Sequence, residues 1–298
     1  MAVVDCALGP VLAGNLLVAD LESQLAIYSR YLGLRPVARG QLSEALATGW
    51  DVPALRGASW ALLASESGAA WLRLIEDRAC VASAPLSRQG WIALEVLVRD
   101  VDELAARLRG GPFRFIGEPA DLDVSDSIRA FQVEGSAGEV LYLTQVKSPV
   151  PPFDLPLASC EVDRLFIPIL AVNERAQALS FYQALPGVTA MSFDTRITVI
   201  NRALGLPIET RHPIASAQLA GQSLIEIDQL PALRPVTSNG LPGGIAFVSF
   251  AVTDLNIVPE QSLGGIYAVE EAPYAGRRAA LYRGSGGELV ELIETGPR

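Results

Sequence analysis

The apolar and polar positions of this chain fall into one plan that recurs four times: an apolar strand, a polar cap, a helix with apolar residues at helical spacing, then further strands. In the first copy the run from Val11 to Ala19 predicts a strand and Asp20 a helix N-cap. Leu21, Leu25, Tyr28 and Leu32 then form a buried helix face, closed by Gly33. The third copy repeats this with a strand over Leu165 to Val172, Asn173 as cap, Leu179-Ser180-Phe181-Tyr182 in place of Leu25-Ala26-Ile27-Tyr28, and Gly187 closing the helix. The second copy opens at Trp91, with Asp100 as cap, a helix carrying Leu104 and Leu108, and Gly110-Gly111 after it. The fourth opens at Ile245, with Asp254 as cap and Gly264-Gly265 at its end, and Pro259 shortens its helix. The plainest repeat closes each half. Gly135-Ser136-Ala137-Gly138-Glu139-Val140-Leu141-Tyr142-Leu143 returns as Gly284-Ser285-Gly286-Gly287-Glu288-Leu289-Val290-Glu291-Leu292, where the glycines read as hairpin turns feeding a last strand. Each half is thereby a control for the other, and Tyr142 stands where Glu291 stands.

Between copies two and three, Pro149, Pro151, Pro152 and Pro156 favour an extended connection. The chain therefore divides into an N-terminal domain over 1–147 (modules 1 and 2), a linker over 148–160 and a C-terminal domain over 161–298 (modules 3 and 4). At 298 residues and 50% hydrophobic content, two cores can be buried. The net charge of −10, from 33 acidic and 23 basic residues without a block of one sign, reads as a solvated surface and argues against nucleic acid. No apolar run reaches membrane-spanning length and the start lacks a signal-peptide pattern, so a cytoplasmic protein with no membrane partner is expected. Cys6, Cys80 and Cys160 are an odd count with no Cys-x-x-Cys, which implies neither a disulfide framework nor a zinc knuckle. Nucleotide-binding glycine motifs and the Gly-x-Ser-x-Gly elbow are missing, and no cofactor is expected.

Four βαβββ units, each half opening with a strand, a polar cap and a Tyr-bearing helix, and a chain closing on Gly-Glu-Leu-Val-Glu-Leu, resemble the vicinal-oxygen-chelate superfamily. That group includes glyoxalase I, methylmalonyl-CoA epimerase, extradiol dioxygenases and bleomycin-resistance proteins. The resemblance covers essentially the whole chain. It implies an α+β fold of tandem βαβββ modules paired into two half-barrel domains, and a divalent metal held by first-strand His and last-strand Glu or Gln.

Counting from the caps and glycines, the resemblance places the first-strand positions at Ala13, Ala93, Phe166 or Ile167, and Phe247. The last-strand positions are Arg73, Tyr142, Glu226 and Glu291. None of the first-strand residues can ligate, so the metal is expected to be missing and the purified protein to carry no stoichiometric divalent ion. Glu226 and Glu291 keep the carboxylate. A C-terminal pocket is therefore expected, with Asp228, Phe247 and Ser249 as substrate contacts, in which the two carboxyls hold one proton for acid/base work, or are each paired with an Arg or kept without a role, or weakly hold a hard cation. Glu291→Gln is expected to abolish activity while the fold persists. An N-terminal pocket would join Asn15, Glu95, Arg73 and Tyr142, either gripping a ligand or filled by an Arg73–Glu95 pair. His212, the only histidine, lies in the turn-rich stretch Pro207 to Ile214 and is either a proton carrier at the rim or a loop residue without a role.

Three functions follow as alternatives. The first is a metal-independent lyase or isomerase acting on a small hydrophobic oxygenated molecule through carboxylate chemistry. The second is a small-molecule binding or sequestering protein of the bleomycin-resistance type. The third, a metal-dependent glyoxalase or extradiol dioxygenase, is disfavoured by the missing histidines. The oligomeric state, monomer or homodimer, is left open.

Overall fold

The computed structural model describes residues 5–296 apart from residues 83, 85, 124, 232 and 236–239. Module 1 contains β1 (Leu8–Val18), α1 (Leu21–Leu32), β2 (Arg35–Gln41), α2 (Glu44–Gly49), β3 (Ser59–Ala64) and β4 (Ala70–Glu76). Module 2 contains β5 (Gly90–Val98), α3 (Val101–Leu108), β6 (Arg114–Leu122), β7 (Ser125–Glu134) and β8 (Val140–Val146). Module 3 contains β9 (Val162–Val172), α4 (Arg175–Gln183), β10 (Thr189–Arg196), α5 (Thr198–Ala203), β11 (Arg211–Leu219) and β12 (Ser223–Gln229). Module 4 contains β13 (Gly244–Val252), β14 (Tyr267–Ala268), β15 (Arg278–Arg283) and β16 (Leu289–Glu294). Its helix is reduced to a single 3-10 turn, Leu255–Ile257, just before Pro259.

The caps form as their chemistry dictates. Asp20 and Asp100 accept from the backbone N–H groups of Ser23 and Glu103 at 3.0 and 2.9 Å, and Asp254 accepts from Asn256. Gly33 closes α1 in the left-handed region at φ 68°, open to glycine at little cost. In module 3 the cap is Glu174 rather than Asn173, and its side chain makes no capping bond. Helix α4 ends at Gln183, with Gly187 in the turn that follows.

The strands form two curled eight-stranded sheets, in the orders β14-β15-β16-β13-β1-β4-β3-β2 and β10-β11-β12-β9-β5-β8-β7-β6. Each sheet therefore joins modules from different halves. Antiparallel β1·β13 unites modules 1 and 4, and antiparallel β5·β9 unites modules 2 and 3. The expected pairing of modules within each half is corrected here. Modules of one half meet back to back instead of edge to edge: a Cβ on Gly14 of β1 would lie 2.4 Å from Leu94 Cδ1 of β5. Only glycine allows that approach. Between the sheets runs the largest core, with Leu16, Val18, Leu94, Val96, Leu165, Leu170, Val248 and Phe250 all buried. Burial of this shared apolar surface is what holds the two sheets together.

A second tie repeats in both halves. The Tyr28 hydroxyl on α1 donates to buried Glu139 at 2.7 Å, and the Tyr182 hydroxyl on α4 donates to buried Glu288 at 2.8 Å. The conserved-in-repeat Tyr and the Glu after each glycine turn thus latch module 1 to module 2 and module 3 to module 4. The three cysteines are free thiols. Among the described residues no helix is long and apolar enough to cross a membrane.

Candidate functional site

The strand registers place four equivalent residue pairs on the concave faces: Asn15 beside Arg73, Glu95 beside Tyr142, Ile169 beside Glu226, and Ser249 beside Glu291. The first member of each pair lies five residues before its helix cap, at Asp20, Asp100, Glu174 and Asp254. This corrects the first-strand positions counted at Ala13, Ala93, Phe166 or Ile167, and Phe247. Side chains alternate, so a residue seven before the cap shares a face with the residue five before it. Only the parallel pairing with the last strand decides which of them meets the last-strand residue.

Because modules pair across the halves, the expected pockets regroup. Asn15, Arg73, Phe247, Ser249 and Glu291 meet in the module 1/4 half-barrel, and Glu95, Tyr142, Glu226 and Asp228 meet in the module 2/3 half-barrel. The expected union of Glu226 with Glu291 does not occur, since they lie in different sheets. Arg73 likewise pairs with Glu291 and not with Glu95.

The module 1/4 half-barrel is filled. Arg73 Nη2 donates to Glu291 Oε2 at 2.9 Å, Nη1 to the Tyr274 hydroxyl at 2.7 Å and Nε to Asn15 Oδ1 at 2.5 Å. Glu291 also accepts from Ser249 Oγ, Tyr267 and Tyr274 hydroxyls and Trp50 Nε1. The guanidinium carbon sits 4.8 Å from the Trp50 ring centre and 5.4 Å from that of Phe247, both favourable faces for a cation. Burial works against the charge on Arg73, yet Tyr274 and Glu291 raise its pKa above the ordinary value. Arg73 is 2% and Glu291 0% exposed, so every polar group at this centre is satisfied internally and shut off from solvent. No side chain here is left to meet a ligand.

The module 2/3 half-barrel is open. Its cavity, about 140 Å³, is lined by Glu95, Tyr142, Glu226, Gln132, Thr195 and Arg196 among apolar walls of Leu122, Phe193, Ile197, Val199 and Ile214. Burial pushes Glu95 up to about 8, with the facing Glu226 adding to the rise. Burial likewise pushes Glu226 up to about 7, and Asp228 offsets part of that rise. Asp228, two residues along β12 on the same face, is fully buried and held well above the usual carboxylate range by burial, then by Glu226 and Glu95. Neither oxygen of Asp228 has a donor among the described residues, and its neighbour is another carboxyl. Any bond between Asp228 and Glu226 therefore requires one of them to carry a proton, which is the behaviour of two carboxyls confined together. The Tyr142 hydroxyl is also buried without a partner among the described residues. Its pKa is raised by burial and by the facing Asp228, Glu226 and Glu95.

His212 is placed on β11 and not in a loop, and it does not line the cavity. Asn201 donates through Nδ2 to the Ile208 and Thr210 carbonyls, both at 2.9 Å, which leaves its Oδ1 to accept from His212 Nε2 at 2.7 Å. Burial lowers the His212 pKa. Its role is to hold α5, whose Thr198 and Val199 face the cavity. Gln132, Phe193 and Arg196 were not anticipated from the sequence. A signal existed for Gln132: the Gly135–Gly138 hairpin sets it directly opposite Tyr142. Phe193 and Arg196 come from outer strand β10, where no periodic pattern marks them.

The divalent metal that this architecture implies does not fit these residues. One set of four positions contains a guanidinium, the other contains Ile169, and neither has an imidazole. Among the described residues no group of three His, Cys, Asp or Glu side chains is arranged to hold a metal ion.

Solved structures match nearly the whole chain. Glyoxalase I from Zea mays superposes with a TM-score of 0.63 at 15% identity, covering 95% of this chain and 92% of that one. A Bacillus subtilis protein provisionally assigned as a dioxygenase superposes with a TM-score of 0.66 at 11% identity, covering 98% of this chain and 86% of that one. No family model matches the sequence, and no curated protein matches it. At this level of identity the likeness gives the fold: the chain has the vicinal-oxygen-chelate architecture of two half-barrels.

Proposed function

We propose that the module 2/3 half-barrel is an acid/base site which moves a proton on a small, largely apolar oxygenated molecule, in lyase or isomerase chemistry with no step through a metal. The observation that carries this reading is Glu226 and Glu95, two carboxyls lining an open cavity with no cation paired to either among the described residues, with buried Asp228 beside Glu226 on β12. Glu226, with its pKa near neutrality, is ionised in a large fraction of molecules at pH 7 and suits removal of a proton from carbon beside a carbonyl. The unpartnered Tyr142 hydroxyl suits donation to the carbonyl oxygen as negative charge develops there. Glu95 is protonated at pH 7 and suits return of a proton to the substrate, which balances the one taken by Glu226.

The test is exchange of carbon-bound hydrogen in deuterium oxide, followed by NMR over a set of small hydroxy and amino ketones. Wild-type protein is expected to exchange at least one of them, and Glu226→Gln to slow that exchange by about 10²–10⁴-fold. Exchange at the wild-type rate in Glu226→Gln sinks the proposal. The apolar walls formed by Leu122, Phe193, Ile197 and Val199 favour a second reading, a binding protein that holds its ligand unchanged. Saturable binding of such a molecule with no exchange would favour that reading.

A further inference from the structure

We infer that the molecule taken up by the module 2/3 cavity carries one basic amine beside an apolar body about the size of a single aromatic ring. This rests on the reading of that cavity as the working site, and it names the class of molecule the site takes.

Size comes from the cavity itself. Its volume is about 140 Å³. Apolar cavities of about 150 Å³ accept benzene, so one ring or a branched chain of similar bulk fills the space between Phe193, Ile197, Val199 and Ile214.

Charge comes from comparing the two half-barrels, which are built to the same register. In the closed one the two last-strand residues are Arg73 and Glu291, which meet as guanidinium and carboxylate; in the open one they are Tyr142 and Glu226. The open half-barrel thus has carboxyls at Glu226, Asp228 and Glu95, and its last-strand pair is a carboxyl with a phenol instead of a carboxylate with a cation. Arg196 is the one cation among the described lining residues; its terminal nitrogens are bound to Asp123 at 2.5 Å and Glu209 at 2.7 Å, and its buried Nε has no partner among the described residues. Asp228 is 0% exposed with both oxygens unpartnered among the described residues, and the Tyr142 hydroxyl, 8% exposed, is unpartnered too.

An ammonium group carries three donors and no acceptor, which suits a floor of carboxylate oxygens and a phenol oxygen. It would do for Glu226, with Asp228 beside it, what Arg73 does for Glu291. A carboxylate or phosphate on the ligand would meet the ionised form of Glu226 in a poorly solvated space.

Three probes of one ring size separate the possibilities: benzylamine, benzyl alcohol and benzoate, titrated calorimetrically into the full chain at low ionic strength and pH 7.5. Benzylamine is expected to bind at least tenfold more tightly than benzyl alcohol, benzoate not to bind, and the amine preference to vanish in Glu226→Gln. Asp228→Asn serves the same purpose where Glu226→Gln does not fold. Benzyl alcohol or benzoate binding as tightly as the amine overturns the inference, as does an unchanged preference in the folded variant or no binding by any probe. Magnesium or manganese that binds saturably and displaces benzylamine overturns it as well, because the missing cation would then be inorganic. The two proposals fail separately. An amine preference that depends on Glu226 without exchange of carbon-bound hydrogen leaves this inference standing and removes the acid/base reading. Exchange on neutral ketones without an amine preference does the reverse.

Discussion

Arg73 and Glu291, 218 positions apart in sequence, meet at 2.9 Å at the centre of a half-barrel closed to water. The pair occupies two of the positions to which the sequence resemblance assigns metal ligands, and it makes the centre of that half-barrel structural. Removing one partner leaves a buried charge alone, at a cost of about 3–5 kcal/mol. Arg73→Met is therefore expected to lower unfolding free energy by that amount in a denaturant titration. Glu291→Gln is expected to destabilise in the same direction. In whatever fraction stays folded, turnover per molecule is expected to be unchanged for both, since the open cavity lies in the other sheet. A loss of activity greater than the loss of folded protein would return the site to module 4.

The pH profile of kcat/KM reports the free enzyme's acid and base. Glu226 acts ionised, so activity is expected to rise as pH increases through about 7. Glu95 acts protonated, so activity is expected to fall as pH increases through about 8. The result is a narrow bell between these values. A plateau running from pH 6 to pH 9 would contradict the assignment of both roles.

Stability should shift with pH in a sense opposite to that of ion-paired carboxylates. Glu95 at about 8, and Glu226 and Glu288 each at about 7, all sit above the ordinary 4.5. Between 4.5 and these values the native state binds protons that the unfolded state has released, so stability is fully present at the acidic end and is lost as pH rises. Glu139 and Asp228 shift the same way. His212 acts in the other direction, because its lowered pKa costs stability once pH falls below the unfolded value of 6.5. One imidazole opposes several carboxyls. The Tm is expected to fall by several degrees between pH 6 and pH 8.5, and a rise over that interval would contradict the burial of these groups.

The tyrosine latches should behave alike. Tyr28→Phe and Tyr182→Phe each remove the hydroxyl donor to a buried carboxyl, at a cost of about 1–3 kcal/mol. The Tyr182 bond also lowers the Glu288 pKa, so Tyr182→Phe is expected to raise that pKa and steepen the loss of stability above pH 7. Denaturation curves at pH 6 and pH 8 measure both effects. A phenylalanine that leaves stability unchanged at either pH would show the latch to be incidental.

Local features of the chain were legible in its sequence because short-range chemistry determines them. Asp20 and Asp100 cap the helices they precede, Pro259 truncates the last one, and the Gly135 and Gly284 turns feed their strands. The four modules follow from the same cues. Which module pairs with which was not legible, since an apolar strand such as β5 carries no mark of whether β9 or a strand of module 1 will lie beside it. Gly14 held the one local hint, a strand glycine where another backbone or side chain comes close. The candidate site depends on the same point: Glu226 and Glu291 share a half of the chain but not a sheet, whereas Asp228 neighbours Glu226 by strand alternation alone. The meeting of Tyr182 with Glu288 depends on tertiary packing, although both residues stand in repeated motifs.

The crossing of modules between halves makes the chain a pair of clasped hands. Cleaving the peptide within residues 148–160 would yield two fragments, neither of which owns a complete half-barrel. The severed pieces would still be held to each other by the β1·β13 and β5·β9 ladders. Each fragment alone would expose two open sheet edges and half of every centre, so assembly of the halves and formation of the cavity are one event.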